Sequence, residues 1–301
     1  MLNADKRAAS RSRLFRRALV TGAGGLLGRH IIEQLRGSGW QTIALAHSDL
    51  DITRPTDVSR AIEQEAPSVV VNCAVTGDVD ACEREQAWAY AVNEKGPRLL
   101  AAACRRFGAK IVHVSTDYVF DGEKAGFYTQ GDEPRPLNVY GKSKLAGELA
   151  VQEENPDHFI IRTSWIFGTG GRNFGSRVIE HASSGRPLKG VTDQTSITTY
   201  APDLAARIEE IINLGVAGLY HVTSTGATSW YDFARAALDR AGLARVEVKP
   251  IRRADLNQSA PRPRNTAMRC LLSERLGLKP LPDWRDRLPE FVRAQTDRSR
   301  G

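Results

Sequence analysis

The chain has 301 residues, of which 41% are hydrophobic and 26% charged, and its formal net charge is +7. This composition predicts a globular protein with one large or two smaller domains, and no apolar run reaches the roughly 18 to 20 residues of a membrane-spanning helix. Charges stand where a signal peptide has its apolar segment, so we expect a cytoplasmic protein with no membrane partner.

The positive charge is concentrated at the two ends of the sequence. Residues 1–17 and 292–301 contain nine basic and two acidic residues, whereas residues 18–291 contain 33 of each. A fold that binds nucleic acid through phosphates needs a basic surface on its folded body, so the balanced body predicts no nucleic-acid partner. We interpret residues 1–16 as a disordered basic arm and residues 296–301 as a flexible tail. For the arm, a targeting segment or a tether to an anionic surface is the alternative.

Short apolar runs alternate with helical patterns from residue 17 to residue 168. Strands are predicted at RALVTG, QTIALA, SVVVNCAV, KIVHVSTDYVF and HFIIRTSWIFG. Helices are predicted between them at LLGRHIIEQLRGSG, DVSRAIEQEAP, AWAYAVNEKGPRLLAAACRRFG and YGKSKLAGELAVQEE. Strands of unbroken Val, Ile and Leu separated by helices imply a parallel sheet covered on both faces. We therefore expect an α/β fold in which residues 17–168 form a doubly wound, Rossmann-type dinucleotide-binding domain.

The alternation becomes looser after residue 168. Helices are predicted at RNFGSRVIEHASSG, APDLAARIEEIINLG, SWYDFARAALDRAG and LPDWRDRLPEFVRAQ, with short strands at GLYHVTS and VEVKP. We expect residues 169–295 to form mainly a smaller, interleaved substrate-binding lobe, with some segments returning to the first domain.

Cysteine and histidine positions form no metal-binding pattern. The cysteines, at positions 73, 82, 104 and 270, show neither CxxC pairing nor nearby histidine spacing, which indicates a reducing compartment and no structural zinc. The six histidines also lack ligand spacing, and we interpret His113, in an apolar strand, as a core residue. The sequence therefore predicts no bound metal.

A glycine-rich turn follows the first strand. The segment LVTGAGGLLGRHI places Gly22, Gly25 and Gly28 between the first strand and the first helix. This spacing allows a tight turn and a close approach of the backbone to a pyrophosphate, and the helix N-terminus presents free N–H groups to it. Because the turn opens an alternating strand–helix pattern, it predicts a dinucleotide cofactor.

The end of the second strand bears on the choice of dinucleotide. An acidic residue there would bind the ribose hydroxyl of NAD and disfavour the 2′-phosphate of NADP. The segment IALAHSDLDIT instead places His47 and Ser48 at the tip, where they can donate hydrogen bonds to a phosphate. We therefore predict NADPH, with NADH as the alternative because Asp49 takes the acidic position if the strand ends later.

A tyrosine and a lysine stand four residues apart at the start of a later helix. Tyr140 and Lys144 share one helix face at this spacing. Upstream, HVSTDYVFDG ends a strand with Thr116 and Asp117 at the carboxyl edge of the sheet, where ligands bind in such folds. Together the segments predict a catalytic set of Thr116, Tyr140 and Lys144, with Asp117 beside the substrate.

These residue types suit the reduction of a ketone. The oxygen that gains negative charge needs a proton donor and a second hydrogen-bond donor, and we assign these roles to Tyr140 and Thr116. A free tyrosine, with a pKa of ~10, is a weak acid at neutral pH, and one positive charge at ~4 Å supplies roughly the 4 kcal/mol that lowers this pKa to ~7. We therefore expect Lys144 to lower the pKa of Tyr140 and to hold the nicotinamide ribose.

These motifs resemble those of the extended short-chain dehydrogenases/reductases, and within them the dTDP-4-dehydrorhamnose reductase group. The resemblance covers residues 17–295 and is carried by TGAGGLLG, LDIT, VVNCAV, AVNEKGPRLLA, VSTDYVFDG, YGKSKLAGE, RTSWIFG, VTDQTSITTYAPDLA, GLYHVTSTGATSWYDFA, RPRNTAM and LPDWRDRL. It implies hydride transfer from a nicotinamide cofactor to a nucleotide-activated 4-keto-6-deoxy sugar.

The resemblance also implies roles for single residues. Thr116, Tyr140 and Lys144 occupy the family's catalytic positions. The other implied residues are the pyrophosphate turn Gly22, Gly25, Leu26 and Leu27, the adenine-side pair Asp51 and Ile52, the cofactor-bordering loop Ala74, Val75 and Thr76, and Trp165 in the sugar pocket. Arg262 and Arg264, in the segment PRPRN, either bind the substrate diphosphate as a pair or are solvated.

Two positions depart from the family pattern. Thr76 and Gly77 stand where members commonly have an aromatic residue or histidine followed by threonine, so the sugar could differ. His30 stands where some members have a glutamate that helps bind Mg²⁺ between subunits. We therefore expect no metal-bridged dimer, and a homodimer stays open.

Two other functions also stay open. The same residues support a nucleotide-sugar epimerase, whereas a dehydratase is disfavoured because Asp117 and Tyr118 replace its Asp–Glu pair. The regulatory beta subunit of methionine adenosyltransferase looks like this family, so a dinucleotide-binding subunit without turnover is the second alternative. The intact catalytic set favours an enzyme.

Overall fold

The structure, a computed structural model, describes residues 16–298, so most of the predicted basic arm and the last three residues lie outside the described range. The strands are β1 (Arg17–Thr21), β2 (Gln41–Leu45), β3 (Val69–Asn72), β4 (Lys110–Thr116), β5 (His158–Thr163), β6 (Ile166–Phe167), β7 (Leu188–Val191), β8 (Thr195–Ile197), β9 (Thr199–Tyr200), β10 (Gly218–His221), β11 (Ala227–Ser229) and β12 (Val248–Ile251). The α-helices are α1 (Leu26–Gly37), α2 (Pro55–Glu65), α3 (Val79–Arg84), α4 (Gln86–Tyr90), α5 (Gly96–Phe107), α6 (Val139–Glu154), α7 (Phe174–Ser183), α8 (Ala201–Leu214), α9 (Trp230–Arg240), α10 (Leu271–Arg275) and α11 (Trp284–Arg298).

A six-stranded sheet in the order β10-β5-β4-β3-β1-β2 forms the centre of the molecule, and all its strand pairs are parallel. The predicted α/β fold with a doubly wound parallel sheet is confirmed. Strand order reverses between β1 and β3, and ligands in such sheets bind beyond the carboxyl ends of the strands at this place. Among residues 16–298, no helix combines the length and apolar character needed to cross a membrane.

Apolar side chains cover both faces of this sheet. Alternate residues of β1 point to opposite faces, so Ala18 and Val20 pack with helices α1 and α8, whereas Leu19 packs with α2 and α5. All three β1 side chains are completely buried. The uninterrupted Val, Ile and Leu content of the strands thus results from burial on two faces.

A separate aromatic core lies between helices α7, α9 and α11. Its centre is Phe167, which contacts the rings of Phe233 and Phe291 at centroid distances of 5.2 and 5.4 Å. Helix α8 and strand β10 belong instead to the main sheet layer. The division of the chain at residue 168 stays a prediction.

Helix α6, which carries the predicted Tyr–Lys pair, is joined to the sheet by a buried ion pair. The Arg162 guanidinium on β5 donates to both carboxylate oxygens of Glu148 on α6 at 2.7 to 3.1 Å, and the Ser115 hydroxyl of β4 donates to the same carboxylate. Both charged side chains are at most 3% exposed. This pairing fixes the height and rotation of α6 above β4 and β5.

Helix α6 also packs very closely against a π-helical turn, Ala91–Lys95, which replaces part of the single long helix predicted there. The side-chain amide of Asn93 accepts a hydrogen bond from Thr76 N and donates one to the Thr76 carbonyl oxygen. It also donates to the Ser143 hydroxyl on α6. The backbone carbonyl oxygen of Asn93 occupies the space that a Cβ atom at Gly147 would need. A helix inserted this closely requires glycine at that position.

We predict that Gly147→Ala lowers the free energy of unfolding by about 1–3 kcal/mol, since the added methyl group displaces α6 from Asn93. Gly37→Ala is the matched control, because a Cβ atom at that helical position meets no atom within 4 Å. The control should be neutral or stabilising by up to about 1 kcal/mol. Urea unfolding followed by circular dichroism measures both, and equal effects of the two substitutions would contradict the packing argument.

Candidate active site

A cavity of about 350 Å³ lies at the carboxyl ends of β1, β3, β4 and β5. It is bordered by the glycine turn on one side and by the first turns of α6 on the other. The predicted residues that line it are Gly22, Gly25, Leu26, Leu27, Gly28, Val75, Thr116, Asp117, Tyr140, Lys144 and Trp165. The fold therefore brings the predicted pyrophosphate turn and the predicted catalytic set into one site.

The glycine turn has the geometry of an anion-binding site. Gly22 adopts φ +64°, and a Cβ atom there would lie 2.7 Å from the backbone of Cys73 and Ala74. Helix α1 begins after Gly25, whose position has no side-chain cap, so the first N–H groups of the helix face the cavity without an intramolecular side-chain acceptor. Free N–H groups and the helix dipole fit a pyrophosphate, so these residues suit a dinucleotide.

The catalytic candidates meet where β4 ends and α6 begins. Asn138 caps α6 by accepting a hydrogen bond from Gly141 N at 2.8 Å, which places Tyr140 in the first turn. The Tyr140 ring packs edge-on against Tyr118 at a centroid distance of 5.8 Å. The Thr116 hydroxyl donates to Asp117 Oδ1 at 3.1 Å and accepts from Tyr118 N at 3.2 Å. Local backbone and side-chain bonds thus orient the set.

The expectation that Lys144 lowers the pKa of Tyr140 is wrong for this structure. Lys144 Nζ donates to the Val114 carbonyl oxygen at 2.6 Å and lies 3.3 Å from His113 Nε2. Burial raises the pKa of Tyr140 well above its ordinary value, and a hydrogen bond with Thr116 offsets this only in part. Burial also lowers the pKa of Lys144 to about 8. The phenol therefore keeps its proton at neutral pH.

Asp117, which we predicted beside the substrate, has its carboxylate oxygens bonded within the protein. Oδ1 accepts from Thr116, and Oδ2 accepts from Thr266 at 2.5 Å and from Ser196 at 3.1 Å. The side chain joins the end of β4 to two segments from the later part of the chain. Burial raises the pKa of Asp117 to about 6, although these hydrogen bonds act in the opposite direction.

Trp165 forms an aromatic wall of the cavity. Its backbone has φ +41°, and its ring stacks on Trp230 with a centroid distance of 3.7 Å and an interplanar angle of 13°. Within the described residues, the indole N–H of Trp165 and the hydroxyl of Thr163 are buried without a hydrogen-bond partner. Both residues line the cavity, and these two polar atoms are buried beside it.

The remaining predicted cofactor residues lie outside this cavity. His47 and Ser48 are exposed in the turn after β2, and Ala23 N donates to Leu45 O at 3.2 Å, which holds that strand end beside the glycine turn. Asp49 accepts from Ala46 N at 2.8 Å and so stabilises the turn.

Four further predicted cofactor residues are engaged in the surrounding structure. Asp51 accepts from the Thr53 hydroxyl at 2.7 Å, and Ile52 is buried. Ala74 N donates to Asn72, and Thr76 N donates to Asn93.

Neither of the two predicted diphosphate-binding arginines lines the cavity. Arg262 forms a bidentate pair with Asp80 at 2.8 and 2.9 Å, and this guanidinium holds the pKa of the Asp80 carboxyl well below its usual range. Arg264 is exposed and lines a different cavity, together with Gly122. Diphosphate binding by these two arginines, which the sequence left open against a solvated pair, stays a prediction.

Several cavity residues were absent from the sequence prediction. They come from the carboxyl ends of β3, β4 and β5, and they are Cys73, Val114, Ser115, Thr163, Ser164 and Ile166. The strand predictions contained this signal, because parallel strands end at one edge of a sheet.

Within the described range, no cluster of His, Cys, Asp or Glu is arranged to hold a metal ion, and His30 lies 2.9 Å from the Thr169 carbonyl oxygen.

The raised pKa of Asp117 predicts a specific pH dependence of stability. The unfolded carboxyl ionises near pH ~4 and the folded one near 6, so the free energy of unfolding falls by up to about 3 kcal/mol as pH rises through this interval. Asp117→Asn cannot ionise and should lack this fall. Urea unfolding at pH 4 to 7 measures the difference, and Asp57→Asn on α2, which removes a carboxylate at the surface, is the control. Parallel curves for wild type and Asp117→Asn would contradict it.

Comparison with known proteins gives a consistent family match. A family model described as the RmlD substrate binding domain matches residues 16–296. A dTDP-4-dehydrorhamnose reductase of Mycobacterium tuberculosis is 40% identical over 284 residues, which cover 92% of this chain and 93% of that protein.

Solved structures agree with this match. A dTDP-4-dehydrorhamnose reductase from Clostridium acetobutylicum superposes with a TM-score of 0.90 at 38% identity, over 93% of this chain and 99% of that one. One from Bacillus anthracis, solved in complex with NADP, has a TM-score of 0.89 at 34% identity, over 91% of this chain and 98% of that one.

Proposed function

The chain belongs to the RmlD substrate-binding domain family, and we propose that it is an NADPH-dependent reductase of a dTDP-activated 4-keto-6-deoxy sugar of the dTDP-4-dehydrorhamnose type. The observation that carries this proposal is the shared cavity of Thr116, Tyr140 and Lys144 with the glycine turn at the N-terminus of α1. The names of the relatives support the substrate, and the NADP complex of the Bacillus anthracis protein supports the cofactor.

The proposed reaction adds hydride and a proton to a carbonyl group. NADPH, when bound, supplies the hydride. Tyr140 gives its proton to the carbonyl oxygen, and the Thr116 hydroxyl turns from Asp117 Oδ1, to which it donates in this structure, and donates to the same oxygen. A raised phenol pKa does not prevent this transfer, because an alkoxide is about as basic as hydroxide, whose conjugate acid has a pKa of roughly 15.7. At neutral pH the Tyr140 phenol is therefore protonated and can act as the proton donor.

The sugar lies against the Trp165 wall in this proposal. Trp165 and Thr163 both line the cavity, so they border the sugar in this proposal. The substrate diphosphate has no assigned arginine, since Arg262 is paired with Asp80. We also propose a cytoplasmic location, because all four cysteines are free thiols. A homodimer stays a prediction.

Tyr140→Phe tests the proton donor. We predict that kcat with NADPH and dTDP-4-dehydrorhamnose falls by about 10²–10⁴-fold, since no other side chain is assigned to protonate the oxygen. The dissociation constant of NADPH, measured by fluorescence titration, should change little. Tyr231→Phe in the second lobe is the matched control. An unchanged kcat in Tyr140→Phe would contradict the role of Tyr140 as proton donor. NADPH binding without turnover by the wild type would favour the regulatory-subunit alternative.

Ser48→Asp tests the cofactor preference. A carboxylate in the turn after β2 repels the 2′-phosphate and accepts a hydrogen bond from a ribose hydroxyl, so kcat/KM for NADPH should fall by about 10-fold or more while that for NADH holds or rises. Ser48→Asn is the uncharged control. An equal loss with both cofactors would mean that this turn does not contact the 2′ position.

A further inference from the structure

A row of polar side chains crosses the sheet beneath Lys144. Thr21 on β1, Asn72 on β3 and His113 on β4 are partners in register across adjacent parallel strands. All three are at most 1% exposed, and Lys144 is 2% exposed. Hydrogen bonds connect them: Thr21 Oγ1 lies 2.7 Å from Asn72 Oδ1, Asn72 Nδ2 lies 3.1 Å from His113 Nδ1, and His113 Nε2 lies 3.3 Å from Lys144 Nζ.

The backbone fixes the direction of these hydrogen bonds. Ala74 N lies 3.1 Å from Asn72 Oδ1 and can only donate, so this atom of Asn72 is the carbonyl oxygen and the other is the amide nitrogen. The amide nitrogen donates to His113 Nδ1, which therefore has no proton. Burial holds the pKa of His113 well below its usual value, so the ring is neutral and its single proton is on Nε2.

The proton on Nε2 points at the nitrogen of Lys144. A neutral amine has a lone pair that accepts this hydrogen bond, and it can still donate to the Val114 carbonyl oxygen. An ammonium group has no lone pair. When Lys144 is protonated, its N–H groups and the His113 Nε2–H are therefore donors that face each other with no acceptor between them. If the imidazole changes tautomer to avoid this, the same conflict moves to His113 and Asn72.

We propose that His113 is a positioning residue, held in its Nε2–H tautomer by Asn72 and Thr21, that disfavours the protonated form of Lys144. The inference rests on the proposed function for its meaning. This arrangement of His113 lets Lys144 gain and lose a proton near neutral pH, next to Tyr140, which must recover its proton after each turnover.

Other ionisable groups around Lys144 act in both directions. Burial lowers its pKa, while Glu148 on α6 and Cys73 after β3 raise it. Glu148 is neutralised by Arg162 on β5, and burial keeps the Cys73 thiol protonated by raising its pKa to about 12. Asn72 and His113 therefore act next to a lysine whose acidic neighbour Glu148 is already paired with Arg162.

The tautomer can be measured directly in the full chain. In ¹⁵N-histidine-labelled protein, long-range ¹H–¹⁵N spectra should give His113 an unprotonated Nδ1 and a protonated Nε2. His221 is the internal control, since its Nδ1 lies 3.1 Å from the Arg269 carbonyl oxygen and must be protonated. A protonated Nδ1 in His113 of the wild-type protein overturns the proposal, whatever the enzyme's substrate.

Asn72→Asp reverses the hydrogen bond, because a carboxylate accepts from His113 Nδ1 and leaves Nε2 to accept from an ammonium group. The midpoint of the Lys144 titration, followed by the ε-CH₂ resonances of ¹³C-labelled lysine, should move up by about one pH unit or more. The basic limb of the kcat profile should move in parallel. An unchanged midpoint overturns the proposal.

The double variant Asn72→Asp with His113→Gln distinguishes an effect of the imidazole tautomer on Lys144 from a direct effect of the new carboxylate charge. Without the imidazole, Asn72→Asp should move the Lys144 midpoint much less than it does in the wild-type background. A shift of the same size in both backgrounds means that the new carboxylate acts through its charge alone, and this result also overturns the proposal. Failure of reductase turnover in the wild type, with the tautomer as expected, counts against the proposed function only.

Discussion

The ion pair between Glu148 and Arg162 is the interaction on which the candidate site depends. It lies one turn beyond Lys144 on helix α6 and joins that helix to β5, while Ser115 joins the same carboxylate to β4. Buried ion pairs are costly unless every donor and acceptor is satisfied, and loss of one partner leaves an uncompensated charge. Here the arrangement sets the distance between the strand that carries Thr116 and the helix that carries Tyr140.

Much of the fold could be predicted because its signals are local. Apolar runs, glycine positions and helix periodicity are properties of short segments, and burial on both faces of a parallel sheet leaves a continuous pattern. The glycine turn and the Tyr140–Lys144 spacing were found for the same reason. The π-helical turn at Asn93 was missed, since it depends on a side chain that bonds a loop 17 residues away.

The failures of prediction concern side chains whose environment is set by distant parts of the chain. Arg262 pairs with Asp80, 182 residues earlier, and no local spacing indicates that partner. The pKa of Tyr140 was predicted from one neighbour on its helix, but burial by distant parts of the chain raises it. His113 was read as a core histidine; it is buried, and it also contacts the lysine of the candidate site.

The left-handed backbone of Trp165 has a consequence for ligand affinity. This conformation costs a non-glycine residue roughly 1–2 kcal/mol, and stacking on Trp230 offsets that cost during folding. The indole is thus immobilised within the protein itself, and the sugar that we propose to bind here meets a rigid platform whose rotational entropy has already been lost. Affinity at this wall is then preorganised, so a flexible side chain of equal area would bind the same ligand less tightly.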